Sequence, residues 1–252
     1  MKKLLKRTAF IAVLAVCILA AHLAPLHRHK TIAPITPERK ATHMITFYTD
    51  SDHRAGLCTG TAVGPHAILT ATHCTEDGYK IISFDLSVKK YHIIGSITDG
   101  SDHTIIHVDG PAFTNIVTIK ERKAVLGETV TSYGDGAMDF PQHTYYGKVV
   151  EQQNGGDTSE LDRRDGINAF SLPVIPGDSG SAIYGTDGDI VALVTYSDTN
   201  EEENIHQAVG FELSFTPEQL ALIARPDAAP TQLDLNTPHV VTLDDLIHAL
   251  EQ

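Results

Sequence analysis

Two short stretches of the 252-residue chain hold side chains suited to acyl-transfer chemistry. The first is Cys58-Thr59-Gly60-Thr61-Ala62-Val63-Gly64-Pro65-His66-Ala67-Ile68-Leu69-Thr70-Ala71-Thr72-His73-Cys74. It reads as a strand, a Gly-Pro turn and a second strand that ends on a histidine. Cys58 and Cys74 can bridge the two strands, which would pin the backbone beside His73. A disulfide closing a loop of this size contributes about 3 kcal/mol. The chain has 14 histidines, most of them expected to be structural or exposed, and His73 alone sits in such a frame. The second stretch is Pro176-Gly177-Asp178-Ser179-Gly180-Ser181. Glycines on both sides let the backbone turn sharply and present the Ser179 hydroxyl, and the amides of Gly177 and Ser179 can converge on one oxygen. Paired donors of that kind form an oxyanion hole, worth roughly 3 to 4 kcal/mol of barrier per donor. Taken alone, Gly-Asp-Ser-Gly is equally readable as a plain turn.

The elements that must position these residues are strands. Nineteen Gly and twelve Pro punctuate short runs rich in Val, Ile, Thr and Tyr, the pattern of a sandwich or barrel. Strands are expected over Ile45–Thr49, Cys58–Val63, Ala67–Ala71, Tyr79–Leu86, Tyr91–Ile97 and Thr104–Val108. A crossing near Pro111–Arg122 leads to a second set: Thr129–Tyr133, Thr144–Val150, Ile167–Leu172, Ser181–Tyr184, Ile190–Tyr196 and Gln207–Leu213. Two groups of about six strands imply an all-β fold of two packed barrels. The sequence shows no internal repeat. Near the end, Thr216-Pro217-Glu218-Gln219 is a capping box, so a short helix is expected from Pro217 to Ala224. A second helix, Thr242 to about Leu250, would carry Leu243, Leu246, Ile247 and Leu250 on one face.

In combination the motifs resemble the trypsin/chymotrypsin-like serine proteases. Thr-Ala-Thr-His-Cys at 70–74 looks like that family's histidine motif and Gly-Asp-Ser-Gly at 177–180 like its nucleophile motif. Ser101-Asp102-His103-Thr104-Ile105-Ile106 resembles its aspartate followed by an apolar strand, and the order His, Asp, Ser agrees. The resemblance implies two six-stranded barrels and a serine endopeptidase working through an acyl-enzyme. His73, Asp102 and Ser179 would be the triad, Gly177 and Ser179 the oxyanion donors, with no cofactor and no metal. Val191 to Ser197 resembles the strand that lines the specificity pocket, which implies substrate contacts from Thr195, Tyr196 and Ser197 together with Pro173, Val174, Pro176 and Ala208. Pro173 stands where trypsins place an acidic base and Ala208 replaces a wall glycine, so small or medium apolar side chains are expected. The acidic run Asp198–Glu203 near the rim argues for basic ones, against a plainer reading as a solvated loop. Asp85, Asp99 and Asp109 lack the motif's context and are expected to be solvated turn residues. The chain departs from the digestive enzymes in its shorter spacings and in Ser181 where a second glycine is usual, and so looks like a compact bacterial member. No Ile-Val-Gly-Gly follows Arg39 or Lys40, so activation by a freed amino terminus pairing with Asp178 is not expected.

Composition sets the remaining bounds. With 32 Asp and Glu against 19 Lys and Arg, the net charge of −13 repels a phosphate backbone and excludes nucleic acid as a partner. Lys2, Lys3, Lys6 and Arg7 precede an uncharged apolar run from Thr8 to Leu26, the form of an export signal that is either cleaved or retained as an anchor. The expected organisation is a signal or anchor over 1–26, a linker or short pro-segment over 27–43, barrels over 44–122 and 123–215, and a helical tail over 216–252. The apolar segment implies an exported chain, periplasmic or secreted, free or membrane-tethered; the resemblance implies protein or peptide substrates, and a monomer is expected. Three other readings use the same residues: a catalytically silent binding module, an esterase, and a metal-binding protein suggested by His22, His27 and His29.

Overall fold

The computed structural model describes residues 35–49, 53–75, 77–120, 122–136, 142–153, 167–200 and 205–223. Among the described residues there are twelve strands: β1 (Thr42–Tyr48), β2 (Arg54–Gly64), β3 (Ala67–Ala71), β4 (Ile81–Phe84), β5 (Lys90–Thr98), β6 (His103–Val108), β7 (Thr129–Gly134), β8 (His143–Gln153), β9 (Ile167–Phe170), β10 (Ala182–Tyr184), β11 (Ile190–Asn200) and β12 (Ile205–Phe211). They form two closed antiparallel barrels, with cyclic orders β1-β2-β3-β6-β5-β4 and β10-β11-β12-β9-β8-β7. Numbered from its own first strand, the second barrel has the same cyclic order as the first. The repeat is thus one of topology, carried by sequences with no visible similarity.

Side-chain alternation along a strand explains how two barrels share one molecule. Ile68 and Ile106 point into the first barrel with Ile45, Phe47 and Ile82. Their chain neighbours Leu69 and Ile105 point the other way, into a cluster with Tyr133, Ala182, Tyr184, Ile190 and Leu193 of the second barrel. The second barrel keeps its own interior, built on Phe170, Leu172, Ile183, Val191 and Val194. Strand β3 is buried along its whole length, which is what a strand serving two cores requires.

Two helices close the described chain. α1 (Pro37–Ala41) lies within the segment expected to be a linker, and β1 begins at Thr42, two residues before the expected barrel boundary. Thr36 caps α1 by accepting the Arg39 amide at 3.2 Å, Pro37 opens the helix, and Ala41 is fully buried. α2 (Pro217–Ile223) has the expected capping box: Thr216 Oγ1 accepts the Gln219 amide at 3.2 Å, and the Thr216 amide donates to Gln219 Oε1 at 2.8 Å. Gln219 Nε2 also donates to Thr98 O at 2.9 Å and Ile223 is buried in the shared cluster, so α2 docks back on the first barrel. The expected signal segment and the second tail helix lie outside the described residues. Among the described residues no helix is long and apolar enough to cross a membrane.

Cys58 and Cys74 are joined by a disulfide and both are buried. Replacing both by serine should lower the unfolding free energy by about 3 kcal/mol, because the bridge closes a loop in the unfolded chain. Urea denaturation of the two proteins under non-reducing conditions measures this. A loss below about 1 kcal/mol would show that loop closure is not how the bridge acts.

Candidate active site

A single 3-10 turn, Thr72–Cys74, follows β3 and carries His73. Pairing of β3 with β6 sets Ala71 opposite His103, and the Thr72 amide donates to Asp102 O at 3.1 Å, which brings the residue before β6 alongside His73. The Asp102 carboxylate then holds the histidine twice. Its Oδ1 accepts the His73 amide at 3.0 Å and its Oδ2 accepts from His73 Nδ1 at 2.9 Å. With Nδ1 donating to a carboxylate, the neutral ring keeps its lone pair on Nε2. Asp102 is 8% exposed. Burial works to raise its pKa, but the bonds from the His73 ring and amide, with the charges of His73 and His103, hold it below the usual carboxylate range.

Ser179 arrives from the other barrel, on the loop between β9 and β10. Gly177 takes φ 101° and Gly180 φ 85°, conformations that favour glycine. At Gly180 a side chain would also strike Thr59 O, Thr70 Oγ1 and the Ala71 amide, so the loop is seated directly against the end of β3, two residues before His73. Thr59 fastens it there. The Thr59 amide donates to Ser179 O at 2.8 Å and its hydroxyl to Gly177 O at 2.9 Å. Among the described residues neither the Gly177 nor the Ser179 amide has a protein acceptor. The Ser179 hydroxyl donates to Thr195 O at 3.5 Å, a long bond that holds it weakly.

The residues expected around a specificity pocket are divided. Pro173, Pro176, Tyr196 and Ser197 are exposed, Val174 and Thr195 are half-buried, and Ala208 is fully buried in the second barrel, where it pairs with Phe170. No three His, Cys, Asp or Glu side chains among the described residues come together to hold a metal ion.

A family model for the trypsin-like peptidase domain matches residues 58–193, a span that includes His73, Asp102 and Ser179. The chain belongs to that family. No curated protein matches it in sequence. Among solved structures it resembles the Rv3671c protease of M. tuberculosis in its inactive form, at 17% identity and TM-score 0.56, over 76% of this chain and 92% of that one. The active form of that protease gives 16% identity and TM-score 0.57 over 74% and 82%. A serine endoprotease from Yersinia pestis gives 16% identity and TM-score 0.51 over 71% and 60%. At these identities the likeness is one of fold.

Several residues of this trypsin-like peptidase were not legible as parts of the site. Thr59 lies inside a motif read for its cysteine, and nothing local marks its role. Asp99, expected to be a solvated turn residue, is instead buried with His103. Its Oδ2 accepts from His103 Nδ1 at 2.7 Å and from the amide and hydroxyl of Ser214 at 3.0 and 3.1 Å, and its Oδ1 accepts the Ser101 amide at 2.9 Å. Burial alone would raise its pKa, and these donors bring it below the usual range. Asp109 does remain exposed, paired with His92, and Asp85 is exposed with His43. Asp135 was also unmarked. It is 2% exposed, and accepts from Gln142 Nε2 at 3.1 Å. Burial pushes its pKa up to about 6 against that bond, with the carboxylates of Asp85 and Asp178 adding to the rise.

Asp135 is therefore protonated more readily in the fold than in the unfolded chain. Its stabilising contribution is complete below the unfolded carboxyl pKa of about 3.9 and is lost as pH rises through about 6. Asp135→Asn keeps an acceptor for Gln142 and cannot ionise. The variant should match the parent near pH 4 and exceed its stability at pH 8 by on the order of 2 kcal/mol. Denaturation at a series of pH values tests this, and a difference independent of pH would overturn it.

Proposed function

We propose that this trypsin-like peptidase is an exported serine endopeptidase that hydrolyses peptide bonds through an acyl-enzyme, with His73, Asp102 and Ser179 as its triad. The observation that carries the reading is the arrangement around the Ser179 loop. A histidine oriented by a buried carboxylate lies on one barrel, a serine lies on the loop seated against it, and two amides on that loop lack acceptors among the described residues. In the reaction Ser179 Oγ attacks the scissile carbonyl and its proton passes to His73 Nε2. Asp102 stabilises the imidazolium, and the amides of Gly177 and Ser179 receive the oxyanion. Collapse expels the amine, which takes the proton from His73. Water, deprotonated by the same ring, then releases the acyl group and restores the Ser179 hydroxyl.

Specificity for small or medium apolar side chains on the acyl side rests on Pro173 and Ala208. Pro173 offers no charge to neutralise a Lys or Arg, and leaving such a group unpaired in an apolar site costs several kcal/mol. Ala208 stands where the family has a wall glycine, and its added methyl group disfavours a large ring relative to Val, Leu or Ala. The disulfide supports folding in an oxidising compartment after export.

Ser179→Ala should keep the fold and lose hydrolysis by several orders of magnitude, together with labelling by a fluorophosphonate. Asp102→Asn should be severely impaired through the wrong histidine tautomer, whereas Asp109→Asn, at an exposed pair, should retain near-parental rates. Near-parental activity in Ser179→Ala would reject the nucleophile, and equal defects at Asp102 and Asp109 would reject the choice of aspartate. Cleavage of a peptide library at low and high salt tests the pocket. Preference for Lys or Arg that persists at high salt would overturn the apolar expectation.

A further inference from the structure

Asp178 sits between the two proposed oxyanion donors, yet its side chain turns inward and is fully buried. Three neutral groups hold it. Its Oδ1 accepts the Gly136 amide at 2.8 Å, and its Oδ2 accepts the Ile175 amide at 2.9 Å and the Tyr145 hydroxyl at 2.7 Å. Among the described residues no Lys, Arg or His pairs with it, and a second buried carboxyl, Asp135, lies close enough to be affected by its charge. A buried carboxylate is costly unless its lone pairs are met, so each donor matters. Two of the three are amides, one of them on the loop itself. Tyr145 is the side chain that ties Asp178 to a fixed frame, because its ring is packed in the second barrel with Val130, Phe170 and Leu172. The end of β7 is shaped to admit the carboxylate, since any side chain at Gly134 would collide with it.

The Asp178 amide closes a turn on Ile175 O at 3.0 Å, and within that turn Gly177 holds its positive φ. The Gly177–Asp178 peptide is thus held at both ends, its carbonyl by Thr59 and its amide by Ile175 O, beside the anchored carboxylate, and the Gly177 amide adjoins this fixed unit. We propose that Tyr145 is a positioning residue for catalysis: its hydroxyl sets the oxyanion loop through Asp178, so the loop is competent once the chain folds, without a buried cation or a freed amino terminus. This rests on the protease reading above. Burial and the neighbouring Asp178 carboxylate raise the Tyr145 pKa far above its ordinary value, so the hydroxyl stays a donor throughout the working range.

The test uses the full chain with its amino terminus unprocessed, a chromogenic Ala/Val peptide anilide, and a peptide boronic acid whose tetrahedral adduct places an oxygen in the oxyanion hole. Tyr145→Phe removes one hydroxyl. Tyr146→Phe is the control, since that neighbour is 62% exposed. A hydrogen bond to a charged group of this kind corresponds to a loss of about ten- to hundred-fold. In Tyr145→Phe, kcat and boronate affinity should fall together by that factor while KM stays within about twofold, a split that simple loss of folded protein would not produce. Tyr146→Phe should be unchanged. Unchanged kcat in Tyr145→Phe, or a fall that only tracks the folded fraction, overturns the proposal. A second measurement needs no variant: the unprocessed parent should react with a fluorophosphonate at once, and reactivity gained only after amino-terminal cleavage also overturns it. A folded parent that never reacts, processed or not, would reject the protease reading itself.

Discussion

The histidine and aspartate of the site stand on one barrel and the serine on the other, so everything depends on how the two are fastened. Thr59 is the fastening. From a strand of the first barrel it reaches the second through its amide and hydroxyl, and its own carbonyl accepts from Thr70 at 2.8 Å. The disulfide at Cys58 and Cys74 fixes the same strand to the turn that bears His73. A displacement of the serine loop is therefore resisted by the same few atoms that orient the histidine. Reacting groups must be held within a fraction of an ångström for proximity to be effective, and short covalent and hydrogen-bonded paths achieve this better than a broad apolar interface.

That interface contributes in another way. The cluster shared by Leu69, Ile105, Tyr133, Tyr184 and Leu193 removes water from the region between the barrels, and at about 25 cal/mol per Å² of apolar area buried this keeps the barrels together. Hydrogen bonds across the seam then act in low dielectric, where they are stronger and where an unmet partner is more costly. Asp178 and Asp99 show the two outcomes. Asp99 is matched by a histidine and a serine, while Asp178, among the described residues, is met by neutral donors and has another acid beside it.

What could be read from the sequence was what has a local signature. All twelve strands were legible because alternation and turn residues are short-range signals, and Ala67–Ala71 agrees to the residue. The two helix starts make the limit plain. Thr36-Pro37-Glu38 and Thr216-Pro217-Glu218 are the same tripeptide, yet only the second was read as a helix. Gln219 completes its capping box and an apolar face follows, whereas α1 is too short to show any period. Thr59 and Tyr145 act through partners distant in the chain, Gly177 and Asp178, and Asp99, though His103 lies only four residues on, is completed by Ser214. No window along the sequence contains both members of such a pair.

The docking of α2 also bears on the order in which the protein can fold. Ser214, Gln219 and Ile223 complete contacts with Asp99, Thr98 and the shared cluster, so a barrel built from early residues is finished by late ones. During synthesis none of these contacts can form until the chain has been made through Ile223. Closing contacts of such long sequence separation slows folding.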